Sequence, residues 1–135
     1  MGLDMYLYGE KSSMAIGANA PTEDGFRLAS KTLEIAYWRK HPNLHGYIVE
    51  TFADGVDECQ PINLHKEEIN KIIEAIKNDE LPFTEGFFFG RSPQKGEPEY
   101  EENKQHDIEV FEKALKWLGE QTEEDWRYIK YEASW

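Results

Sequence analysis

One cysteine, Cys59, stands in the whole chain. That scarcity excludes an intrachain disulfide and every CxxC redox or zinc-knuckle arrangement. No cation neighbours Cys59 in sequence to make it a nucleophile, so it reads as a structural thiol. Long apolar runs are lacking as well. Nothing approaches the ~20 residues that span a bilayer, and the opening MGLDMYLYGEKSS has neither the basic stretch nor the uninterrupted apolar segment of a secretory signal. A soluble, cytoplasmic protein is expected. Positive charge is short too: 15 Lys plus Arg face 27 Asp plus Glu, a formal net charge of −12. The average field repels phosphate backbones and anionic membranes, so neither direct nucleic-acid binding nor membrane binding is expected. Missing motifs narrow the chemistry further. There is no GxxxxGK[ST] loop, no GxSxG elbow and no HExxH, and no repeat or low-complexity tract.

What is present is enough for a core. The 135 residues are 39% hydrophobic and 13% aromatic, a composition for one folded domain over residues 1–135. GLDMYLYGE alternates Leu3, Met5 and Leu7 against Asp4, Tyr6 and Tyr8, a strand with one buried face. KSSMAIGANAPTEDGFRLAS reads as a long loop with room for a short hairpin. KTLEIAYWRK alternates again, placing Leu33, Ile35 and Tyr37 opposite Glu34, Ala36 and Trp38. Asn43 then caps a helix whose inner face is Leu44, Ile48, Val49 and Phe52. CQPINL reads as a short edge strand because Pro61 cannot donate to a ladder. Ile69, Ile72, Ile73 and Ile76 define an amphipathic helix, and Ile108, Phe111, Leu115 and Leu118 a longer one over 101–119. TEGFFFGRS reads as a buried central strand, RSPQKGEPEYEENKQ as a flexible loop, and EDWRYIKYEASW as the last strand. The sum is an α+β fold, a single mixed or antiparallel sheet of about five strands with about three helices on one face. Its core should join the isoleucine face to Leu3, Met5 and Phe88.

The opening MGLDMYL, the internal YWRK followed by Asn43 and His45, the GFFFG run and the terminal SW together resemble a family of small proteins encoded by bacteriophages and prophages. The resemblance spans Met1 to Trp135, and its motifs identify relatives rather than a reaction. It implies an accessory protein of the bacterial host cytosol that acts by binding, with interference in host defence as its role. This chain departs from the family in the HP between Lys40 and Asn43 and in the stretch after Gly90.

The residues themselves leave the ligand class open. Arg39 and Lys40 end one predicted strand and Arg91 follows another, so their charges can converge on a phosphate or carboxylate if both ends lie on one side of the sheet. Trp38 and Trp135 would supply stacking faces, and Asn43 and His45 donors at a helix start. These seven positions form the candidate site for a small anionic or nucleotide-like ligand. The opposing reading pairs Arg39 and Lys40 with glutamates and puts Trp38 in the core. The net charge points instead to a basic host protein, engaged by an acidic inhibitor that imitates nucleic acid. A small enzyme acting on a nucleotide or phosphoester is a third reading, with Asp4, His45 and Arg39 as acid, base and clamp. No motif demands catalysis. His41 and His45 have metal-ligand spacing, but Pro42 pushes His41 out of the helix, so no metal and no cofactor is expected. A homo-oligomer stays open.

Overall fold

The computed structural model describes residues 2–13, 17–86 and 89–135. In chain order its elements are β1 (Asp4–Ser13), a 3-10 turn (Gly17–Asn19), β2 (Thr22–Glu23), β3 (Phe26–Arg27), β4 (Ser30–Arg39), α1 (Pro42–Phe52), β5 (Ile62–Leu64), α2 (Lys66–Lys77), α3 (Pro98–Gly119) and β6 (Asp125–Ser134). The fold is α+β. The first and last long strands pair antiparallel, and one four-stranded sheet results, in the order β4-β1-β6-β5. Every pairing in it is antiparallel. β2 and β3 form a separate two-stranded hairpin inside the stretch read as a loop.

The sheet has four strands rather than about five because the GFFFG run supplies none among its described residues. At its described residues the Phe89 N–H donates to Gly86 O at 3.1 Å, and Gly90 takes a left-handed φ of 72°. Phe87 and Phe88 lie outside the described residues, and with them the expected burial of Phe88.

Alternation in β1 and β6 sends Met5, Leu7, Ile129, Tyr131 and Ala133 to one face, where all are buried together with Leu3 just before β1. The helices cover that face. Ile69, Ile72, Ile73 and Ile76 of α2 are buried, as are Ile108 and Phe111 of α3, while Leu115 packs on the core half-buried. Trp117 of α3 comes so close to β1 that a Cβ at Gly9 would lie 2.9 Å from its ring, so only glycine fits there.

β4 departs from the simple alternation. Its register against β1 slips between Leu7 and Tyr8: Leu7 faces Ala36 but Tyr8 faces Glu34, leaving Ile35 as an extra residue. The bulge brings both Ile35 and, beyond it, Ala36 and Trp38 to the core side, and turns Tyr37 and Arg39 outward. Trp38 is 7% exposed and stacks on Phe111 with ring centres 5.8 Å apart. Among the described residues, no helix is long and apolar enough to cross a membrane.

Candidate functional site

The junction between β4 and α1 carries unusual backbone. Lys40 has a φ of 56°, a left-handed conformation that costs a non-glycine residue on the order of 1 kcal/mol, and its N–H donates to Leu3 O at 2.8 Å. Its stem lies against two glycines. A Cβ at Gly90 would sit 2.8 Å from Lys40 Cδ, and one at Gly2 would sit 2.9 Å from Arg39 Nη2 and 3.2 Å from Lys40 Cε. Side chains at those positions would displace both cations.

Arg39 reaches the other way, donating from Nη1 to Asp4 Oδ1 at 2.9 Å, where Tyr37 Oη–H also donates at 2.5 Å. The Tyr37 hydrogen bond and the Arg39 guanidinium hold the Asp4 carboxyl below its usual range, and Asp4 in turn raises the Tyr37 phenol. Arg91 forks onto both oxygens of Glu97, whose pKa it lowers. Lys40 has no ion-pair partner among the described residues.

These cations border one groove of about 430 Å³, lined by Tyr37, Trp38, Arg39, Lys40, His41, Arg91, Pro93, Asn103, His106 and Asp107. Asp107 is the sole carboxylate in that lining. It is 2% exposed and already engaged: Oδ2 lies 2.7 Å from His41 Nε2, and Oδ1 accepts from Trp38 Nε1–H at 2.8 Å. Two of the three cations, Arg39 and Arg91, are matched by Asp4 and Glu97, so Lys40 is the groove cation without an ion-pair partner among the described residues.

Behind the groove, two histidine–aspartate–tryptophan clamps hold α1, the first largely buried and the second reaching the surface at Trp135. In the first, His41 Nδ1 lies 2.7 Å from Ser92 Oγ, which accepts the Asn43 N–H at 3.1 Å. Ser92 thereby caps α1 from a distant loop, and the expected cap, Asn43, sits at the second helical position, where its Oδ1 accepts the Thr84 N–H at 3.0 Å. Helix α1 starts at Pro42 with His41 as its N-cap, because proline suits the first helical position. In the second clamp, His45 is 2% exposed, its Nδ1 2.6 Å from Tyr131 Oη and its Nε2 2.9 Å from Asp57 Oδ2. Trp135 Nε1–H donates to Asp57 Oδ1 at 3.2 Å. Burial pushes the Tyr131 phenol well above its ordinary pKa.

The Ser92–His41–Asp107 chain has the connectivity of a nucleophilic triad. Its geometry serves a different purpose. Ser92 is 2% exposed and its Oγ already takes an N–H, so no substrate carbon can reach it, and both His41 nitrogens are spoken for. The chain works as a clamp between α1, α3 and the loop at Ser92.

Of the expected site residues, the structure gathers Arg39, Lys40 and Arg91 on one groove. Trp38 is its floor rather than a stacking face, since its ring is packed on Phe111. Asn43 is taken up by the loop at Thr84, and His45 and Trp135 belong to the second clamp, where Phe89 stands edge-on to both rings. Sequence reasoning missed Asn103, His106, Asp107, Ser92 and Asp57. Asp107 had a legible signal: a carboxylate on the same helical stripe as Phe111 and Ala114 is a buried polar residue that needs partners. Ser92 and Asp57 lie in loops with no periodic signal. Comparison with models of known protein families, with curated proteins and with solved structures finds no match for this chain.

Proposed function

We propose that the chain binds a small phosphate-bearing, nucleotide-like anion in the groove at Lys40. The observation that carries this reading is Lys40 itself, a cation without an ion-pair partner among the described residues, kept in a left-handed backbone between two glycines. Strain of this kind persists where surrounding structure enforces it, and it concentrates at functional positions. Arg39 donates from one nitrogen to Asp4 and also hydrogen-bonds Tyr37, and its five-donor guanidinium has further N–H groups to turn toward a phosphate. Tyr37, 44% exposed, offers the aromatic face that buried Trp38 does not, and Asn103 and His106 offer hydrogen bonds to a sugar or base.

Binding rather than turnover is supported by the structural clamps that engage both ring nitrogens of His41 and of His45, which leave His106 as the groove histidine outside them. Set beside the resemblance of the sequence to small phage-encoded proteins, this supports an accessory protein of the host cytosol that sequesters a signalling nucleotide. Calorimetric titration with ADP tests the reading. The expected result is saturable binding that Lys40→Glu weakens by about ten- to a hundredfold, the worth of a charge-assisted hydrogen bond, without lowering Tm. Equal affinity in the variant, or no binding of ADP or pyrophosphate by the native protein, contradicts it.

A further inference from the structure

The helices cover one face of the sheet and leave the other bare. Register places three cross-strand rows there: Tyr37, Tyr6 and Glu132; Glu34, Tyr8 and Lys130; Thr32, Glu10 and Tyr128. Three of the rings adjoin, with Tyr6 and Tyr8 stacked at 5.6 Å and Tyr37 tilted by 45° against Tyr6 at 5.2 Å. Tyr128 remains 41% exposed. Carboxylates frame this surface. Asp4 and Glu132 are paired to Arg39 and Lys130, whereas Glu10 and Glu34 have no ion-pair partner among the described residues. Burial and the charges of Glu132 and Glu34 raise the Tyr8 phenol, so its ring stays neutral with an electron-rich face in a negative field.

We propose that this uncovered face is a docking surface for a basic, arginine- or lysine-rich protein segment. Charge selects the occupant. A nucleic acid strand, which would otherwise suit an aromatic sheet, meets unpaired carboxylates, and a second copy of the chain would set those carboxylates against themselves. A cation fits both features: the carboxylates attract it and the tyrosine faces hold it. The chain already contains one such contact, with Lys130 Nζ 5.8 Å above the Tyr8 ring centre. This surface differs from the phosphate groove in its chemistry and shares only Tyr37 with its lining, while Glu10 lies six residues along β1 from Asp4, about 20 Å at strand rise.

The test is fluorescence anisotropy of a labelled octa-arginine peptide against the intact protein at physiological salt. Glu10→Gln with Glu34→Gln removes charge from the face, while Glu74→Gln with Glu102→Gln removes the same charge from exposed positions on α2 and α3. The face pair is expected to weaken binding by about tenfold or more and the helix pair by less than about twofold. Tyr8→Leu should cost about threefold more than Tyr8→Phe, since only the latter keeps the ring. Equal loss from the two glutamate pairs would reduce the effect to bulk charge and overturn the proposal. So would tighter binding of oligo-uridine than of the peptide, absence of peptide binding, or a dimer in sedimentation that the face substitutions dissociate. ADP titration of the same variants keeps this outcome distinct from that of the groove.

Discussion

Lys40 trades stability for position. Replacing it with glycine relieves the left-handed backbone, a gain of up to about 1 kcal/mol, and removes the ammonium. Thermal melting should therefore show Lys40→Gly at or above the native Tm while ADP binding falls. Asp107 behaves in the opposite way. Its two oxygens serve Trp38 and His41 inside the protein, so Asp107→Ala leaves two buried donors unmatched and should cost about 2–4 kcal/mol in urea unfolding. Asp107→Asn, which can keep the Trp38 bond, should cost less. The sequence made Lys40 visible as part of a cationic cluster. It did not show that Lys40, rather than Arg39, lacks an internal partner, because Asp4 reaches Arg39 only through strand register.

Elements that follow one period were legible and those that break period were not. The isoleucines of α2 and the alternation of β1 and β6 map onto buried faces as expected. The bulge in β4 inverts the expected faces of Ala36, Tyr37 and Trp38, since one extra residue shifts every side chain beyond it. Helix α3 begins at Pro98, three residues before the sequence suggests, because proline there starts a helix. Thr84 and Ser92 lie outside any periodic pattern, yet they hold the start of α1 in place. A Cβ on Gly46 would lie 2.1 Å from Thr84 Oγ1. Gly46→Ala should then destabilise by about 1–3 kcal/mol, and Thr84→Gly in the same chain should restore part of that loss, measured by urea unfolding.

At the scale of the whole molecule, charge governs both stability and binding. Asp79 joins the end of α2 to α3, accepting from Tyr100 Oη–H at 2.5 Å and Lys104 Nζ at 3.0 Å. The Tyr100 and Lys104 hydrogen bonds lower its pKa from 3.8 to about 2. A depressed carboxylate contributes stability in full above its ordinary pKa and loses it as pH falls toward the folded value. The tie should weaken between about pH 4 and pH 2, and Asp79→Asn should show a flatter stability profile across that window. Salt acts in two directions. Screening the net charge of −12 should raise Tm, while the same salt should weaken ADP binding by screening the groove. The most direct measurement of the central claim is a nuclear magnetic resonance titration of the native protein with ADP, following every backbone amide. The account predicts saturable shifts clustered at Lys40, His41, Asn103 and His106 that vanish in Lys40→Glu. Absence of saturable shifts, or shifts centred elsewhere and unchanged in the variant, would contradict it.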